Sequence, residues 1–261
     1  MGGEPEESQP PTSAALPAIP PLAPHRYNAL VTRTLLFDVD QTLLYTGGAG
    51  GLAMARAFHQ LYGIDDAFQA IEGSGRTDWN ILKRGLELHD LLDGTPIEEL
   101  LPSFIDVYLE HLPATLREAP GGHVKPGIPE LLDALATRDD VRLGLATGNF
   151  KRACLLKLAF FKLDAHLHDG GFGEDAEDRG EMVAHAIQRL ANGTAHGSDA
   201  KGDVWVIGDT PRDVEAARAN GARSLAVATG TSSVDDLLSA GADVALEDLV
   251  DTENVLGVLL E

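Results

Sequence analysis

Asp38-Val39-Asp40-Gln41-Thr42 follows a short apolar run, Thr34-Leu35-Leu36-Phe37. Two carboxylates this close can divide the work where the chain turns between them. Asp38 could attack as a nucleophile while Asp40 donates and accepts protons. Alone, the pentapeptide fits loop aspartates after a strand equally well. Two further stretches tip the balance. Leu145-Ala146-Thr147-Gly148-Asn149 brings a hydroxyl and a cluster of amides after a second apolar run, suited to holding a phosphoryl oxygen. Ile207-Gly208-Asp209-Thr210-Pro211-Arg212-Asp213 brings two more carboxylates after a third run. Oxygen ligands from Asp38 and Asp209 suit Mg²⁺, which takes a few carboxylates plus waters and substrate phosphate. Singly, Thr147 reads as a helix cap and Asp213 as a first-turn acid favoured by the helix dipole. As an ordered set they point to chemistry.

The elements that must position these groups are legible in the apolar pattern. Short runs at Thr34-Leu35-Leu36-Phe37, Val141–Ala146, 204–207 and 224–228, with a weaker one at 243–246, read as buried strands. Between them lie helical spacings: Ile128, Leu131, Leu132 and Leu135; Met182, Ala186 and Leu190; Val214, Ala217 and Arg218. Alternation of this kind predicts βαβ units and an α/β, doubly wound parallel sheet. Residues 51–121 break the rhythm with helical patterns only. Met54, Phe58 and Leu61 mark one helix, and Trp79, Leu82 and Leu86 a second. Thr95-Pro96-Ile97-Glu98 predicts a capping box with proline at the first position of a third. Gly47 to Gly51 and Gly121-Gly122 are candidate hinges. The expected organisation is a tail over 1–30, a core of 31–50 and 122–261, and an all-helical cap over 51–121.

Lys and Arg number 20 against 41 Asp and Glu in 261 residues, a formal charge of −21. So acidic a chain repels nucleic-acid backbones and anionic membranes, so neither is expected as a partner. An anionic substrate would need a local cationic site. The single cysteine, Cys154, excludes an internal disulfide framework and points to a reducing, cytoplasmic setting. The first 24 residues hold seven of the 14 prolines and no basic residue, which predicts disorder and no secretory signal. No apolar run approaches the roughly 18 residues of a membrane span.

Taken together, the motifs over about residues 32–246 resemble the haloacid-dehalogenase-like hydrolase superfamily. They are most similar to phosphoglycolate-phosphatase-like members with a helical, C1-type cap after the first strand. The resemblance implies a Mg²⁺-dependent phosphomonoester hydrolase acting on a small phosphorylated metabolite, phosphoglycolate-like foremost, through an aspartyl-phosphate. It implies Asp38 as nucleophile, Asp40 as general acid and base, and Thr147 as a phosphate contact with Gly148 and Asn149. The metal would take Asp38, the Asp40 carbonyl and Asp209, with Asp213 beside them. Gln41 departs from the family pattern, which has glycine there. The family's basic third motif is matched by Arg179 ahead of the helical pattern at 182–190, within a run of charges that also fits a solvated surface. Lys201 is its rival, on the wrong side of that helix, and Lys151 reads as solvent-facing. Gly73-Ser74-Gly75-Arg76-Thr77-Asp78 resembles the loop that capped phosphatases project into the site. Arg76 would there meet a second anionic group, unless it is merely exposed beside a helix cap at Thr77 or Asp78.

Other readings remain at this stage. A phosphomutase of the same superfamily keeps every motif, and a non-enzymatic phosphoacceptor domain shares the acidic strand end. Gly48-Ala49-Gly50-Gly51-Leu52-Ala53 fits a dinucleotide fingerprint but does not follow the strand directly. His166 and His168 read as exposed strand-end histidines rather than a metal pair. Oligomeric state is open.

Overall fold

The computed structural model describes residues 33–191 and 203–261. The expected N-terminal tail and the rival Lys201 lie outside the described residues. Six strands form one parallel sheet: β1 (Arg33–Phe37), β4 (Val141–Ala146), β5 (Gly170–Gly171), β6 (Val204–Gly208), β7 (Arg223–Val227) and β8 (Val244–Leu246). Their order is β5-β4-β1-β6-β7-β8, with β1 in register between β4 and β6. The doubly wound α/β class expected from the pattern is the one observed.

Helices cover both faces, which is why the central strands read as unbroken apolar runs. Leu35 and Phe37 point to one side, packing with Leu131 of α4 (Ile128–Ala136), Leu158 of α5 (Lys151–Phe160) and Val255 of α9 (Thr252–Leu260). Leu36 points to the other, packing with Met182 of α6 (Arg179–Ala191) and Ala217 of α7 (Pro211–Ala219). A sixth core helix, α8 (Val234–Ser239), sets Leu237 against Val214 and Ala226. From β1 the chain steps outward to β4 and β5, then returns to build β6, β7 and β8 on the other side. That reversal opens a crevice at the carboxyl ends of β1, β4 and β6, where Asp38, Thr147 and Asp209 emerge.

A two-residue antiparallel ribbon, β2 (Leu44–Tyr45) with β3 (His123–Val124), brackets the helical insertion. It holds α1 (Ala49–Tyr62), α2 (Asp78–Leu88) and α3 (Ile97–Glu118). Phe58, Leu82, Phe104 and Tyr108 form their own core, closed beneath by Phe150 and Ala153 at the start of α5. Leu61, expected on the apolar face of the first helix, is instead exposed. The capping box expected at Thr95 does not form. Pro96 has ψ of 136°, an extended conformation, so α3 starts one residue later and no side chain caps it.

Gln41 has φ of +71°, the left-handed region, with its N–H donating to the Leu44 carbonyl at 2.7 Å. This gives a physical reason for the family's glycine at that place. A non-glycine residue held there costs about 1–3 kcal/mol, partly offset by the flexibility glycine adds to the unfolded chain. Gln41→Gly is therefore expected to raise unfolding free energy by about 1 kcal/mol, read from the denaturant midpoint. A lowered midpoint would mean that the glutamine side chain stabilises the turn by more than its backbone strains it.

Candidate active site

The strand ends gather the acidic groups around one arginine. Asp38 donates its N–H to the Ile207 carbonyl at 2.8 Å, which fixes its backbone against β6. Its Oδ1 lies 3.0 Å from Nη2 of Arg179, the first residue of α6, and both side chains are buried. Arg179 Nε also donates to Asp213 Oδ1 at 2.9 Å. Asp213 is in the first turn of α7, where its Oδ2 accepts from Thr210 N–H at 3.0 Å and Thr210 Oγ1 at 2.7 Å. Asp213 is thus a first-turn acid and the anchor of Arg179 at once. Asp209 Oδ1 accepts a long bond from Thr42 Oγ1 at 3.4 Å.

Thr147 is fully buried, and its Oγ1 accepts from Asn149 Nδ2 at 2.7 Å. The helix-cap reading does not apply to it, because α5 starts at Lys151 with Phe150 at the cap position. Asn149 Nδ2 donates also to Asp40 Oδ2 at 2.8 Å. Asp40 is open to the crevice, with 38% of its side chain exposed against 10% for Asp38. The two carboxylates therefore sit in different surroundings.

One oxygen each from Asp38, Asp209 and Asp213 falls within a 4.8 Å cluster. Burial pushes the Asp38 carboxyl up to about 7, opposed by Arg179 and reinforced by Asp213 and Asp40. Burial and then the Asp38 and Asp213 charges push Asp209 up to about 8. Three buried carboxylates thus share one guanidinium, a surplus of negative charge on hard oxygen donors. That donor set fits Mg²⁺.

Sequence reasoning passed over a second buried cation, Lys157. It lies on α5 with 4% of its side chain exposed, donating to Asp40 Oδ2 at 2.7 Å and to Asn149 Oδ1. Burial would lower its pKa, but Asp40, Tyr108 and Asp78 more than reverse this and hold it protonated. The available signal was a lone lysine within Ala153-Cys154-Leu155-Leu156-Lys157-Leu158-Ala159, three residues after buried Cys154. Lys151, by contrast, is solvent-facing as expected, paired at 3.5 Å with Asp169. Asp78 was also missed as a site group. Burial raises its carboxyl to about 6 against the pull of Lys157 and of Phe150 N–H, which donates to it at 2.9 Å.

The insertion closes over these groups. Gly148 carbonyl accepts from Asp78 N–H at 2.7 Å, and a methyl on Gly148 would lie 2.2 Å from the Arg76 carbonyl. Beneath the insertion is a cavity of about 400 Å³. Asp38, Asp40, Gly148, Asn149, Lys157, Arg179 and Asp209 line its floor, and Arg76 its rim. Thr147 and Asp213 stand behind that lining, bonded to Asn149 and Arg179. Arg76 donates to the Glu72 carbonyl at 2.8 Å and to Asn80 Oδ1 at 3.1 Å, while Thr77 is the cap of α2.

The model of the haloacid dehalogenase-like hydrolases matches residues 32–221. The chain belongs to this family. That makes it an enzyme of the hydrolase class and sets aside a non-enzymatic phosphoacceptor domain. No curated protein sequence matches the chain significantly. Solved structures share the fold at low identity. One from Clostridium acetobutylicum, described as a phosphatase by prediction, has 21% identity and a TM-score of 0.61, covering 87% of this chain and 99% of its own. One from Thermotoga maritima, assigned as a β-phosphoglucomutase, has 21% identity and a TM-score of 0.53 over 87% and 99%. A third, from Lactobacillus delbrueckii and assigned as a phosphoglycolate phosphatase, has 18% identity and a TM-score of 0.56 over 89% and 100%. No helix of this hydrolase among the described residues is long and apolar enough to cross a membrane.

The electrostatics of the hydrolase give two expectations. A carboxyl raised by folding keeps a proton that the unfolded chain has lost, so its stabilising contribution is greatest at low pH and fades as pH rises. Without metal the hydrolase should therefore lose stability between about pH 4 and pH 8, through the raised values of Asp38 and Asp209. Excess Mg²⁺ should raise Tm more at about pH 8 than at about pH 5, as it takes the proton's place. Equal melting gains at both would count against a carboxylate metal site. Second, removing one member of a buried ion pair strands the other, so Lys157→Met should cost about 3 kcal/mol in urea unfolding. Asp78→Asn in the same background should add little, because the double-mutant cycle then lacks the shared partner. Fully additive losses would mean that Lys157 and Asp78 do not interact.

Proposed function

We propose that the protein is a Mg²⁺-dependent phosphomonoester hydrolase of small phosphorylated metabolites. One observation carries the reading: Asp38 and Asp40 line one cavity, the first held by Arg179 and the second by Lys157 and Asn149. Nucleophile and proton carrier need that difference. Asp38 attacks phosphorus, forming an Oδ–P bond as the ester P–O bond breaks. Asp40 gives its proton to the departing alcohol oxygen. Asp40 then takes a proton from water, which attacks phosphorus and releases Asp38 with inorganic phosphate. Arg179 offsets charge on the transferring group beside Asp38, and the amides around Gly148 and Asn149 are placed to bind its outer oxygens. Asp38, Asp209 and the Asp40 carbonyl would hold Mg²⁺, with Asp213 beside them; when bound, it supplies charge neutralisation at the phosphoryl oxygens.

Phosphoglycolate is the second reading, favoured by Arg76 at the cavity rim. Its carboxylate would have to draw the guanidinium from Glu72 and Asn80. A reducing cytoplasm suits the buried thiol of Cys154.

The purified protein is expected to release phosphate from p-nitrophenyl phosphate with Mg²⁺ and to stop after EDTA. Asp38→Asn should abolish turnover, since the amide cannot form the phosphoryl adduct. Asp40→Asn should slow alkyl esters by about 10²-fold or more and p-nitrophenyl phosphate far less, because that leaving group needs no proton. Wild-type rates in Asp38→Asn would refute the mechanism. Isomerised sugar phosphate without phosphate release would make the protein a mutase.

A further inference from the structure

The charged groups of the cavity above Asp38 gather mostly on its core side. The insertion supplies the roof, and the side chains it presents there are chiefly Met54, Phe68, Ile71 and Ile81. Of the insertion's polar side chains at the cavity, Ser74, Arg76, Asp78 and Tyr108, two are already engaged. Asp78 accepts from Phe150 N–H at 2.9 Å, and Arg76 is bonded to Glu72 and Asn80. Tyr108 is 1% exposed, its ring edge-on to Phe150 at 6.3 Å. A sugar or polyhydroxy acid seated here would lose water from its hydroxyls and find few partners above, which is unfavourable. An alkyl or aryl group would instead replace water on the roof. The volume of about 400 Å³, which must also hold the phosphoryl group, lies at the small end of ligand sites.

We infer that the alcohol half of the physiological substrate is apolar. The enzyme is selective for monophosphates of short alkyl or aryl alcohols over phosphoglycolate and sugar phosphates. This rests on the phosphomonoesterase reading and adds to it the substrate class. Ile71 and Ile81 are the residues that set the preference.

The test is kcat/KM with Mg²⁺ for methyl, ethyl, n-propyl and n-butyl phosphate, beside phosphoglycolate and glucose 6-phosphate. The longer alcohols have nearly equal acidity, so the series reads contact with the roof rather than leaving-group chemistry. Each added methylene is expected to raise kcat/KM by about fourfold, equivalent to about 0.8 kcal/mol, until the cavity is full. Phosphoglycolate and glucose 6-phosphate should fall below n-butyl phosphate. Ile71→Asn should reduce the butyl-to-methyl ratio several-fold. A flat or falling series, or a polar ester preferred over n-butyl phosphate, would overturn the apolar assignment and leave the phosphatase standing. Absence of phosphate release from every ester, p-nitrophenyl phosphate included, would overturn both.

Discussion

Three carboxylates, Asp38 after β1, Asp209 after β6 and Asp213 in the first turn of α7, converge within 4.8 Å, and Arg179 stands among them. Like charges about 4 Å apart repel by about 4 kcal/mol where the effective dielectric is about 20. The fold brings them together because the parallel sheet delivers its strand ends to one place. Arg179 is itself placed by the sheet and by Asp213, which is held in turn by the cap at Thr210. Removing Arg179 would leave the buried carboxylates without a counterion. Organisation here runs from topology to charge, and only then to chemistry.

Lys157 does for Asp40 and the insertion what Arg179 does for the strand-end cluster. Its ammonium joins the core side, Asp40 and Asn149, to surroundings that include Asp78 and Tyr108 of the helical segment. Asp40 and the covering helices thus share one buried cation. Displacement of the insertion would remove part of the charge environment that keeps Lys157 protonated. Closure and the state of the site are electrostatically linked.

Much of this was legible in the sequence, for particular reasons. Asp38, Thr147 and Asp209 could be placed because each follows an apolar run that only a strand buried on both faces explains. Asp213 could be read as a first-turn acid because Pro211 marks the start of its helix. Other features left no such trace. β5 is two glycines, with no side chains to form a pattern, and pairs only because β4 offers Leu145 and Ala146. Lys157 is masked by the apolar residues around it, and its chief partner, Asp40, is 117 positions away. The capping box at Thr95 failed because a local motif cannot show which conformation the next proline will take.

The seam between insertion and core includes close approaches of main chain at two glycines. A methyl on Gly148 would strike the Arg76 carbonyl, and one on Gly75 would lie 2.7 Å from Thr210 Oγ1. At Gly148 the two parts meet main chain to main chain, and at Gly75 the backbone of the insertion lies directly against the Thr210 side chain. Their alignment is therefore nearly independent of which residues face the cavity elsewhere. Side chains facing the cavity can change without moving the insertion relative to Asp38. The same arrangement makes Gly75 and Gly148, on two separate loops, intolerant of even alanine.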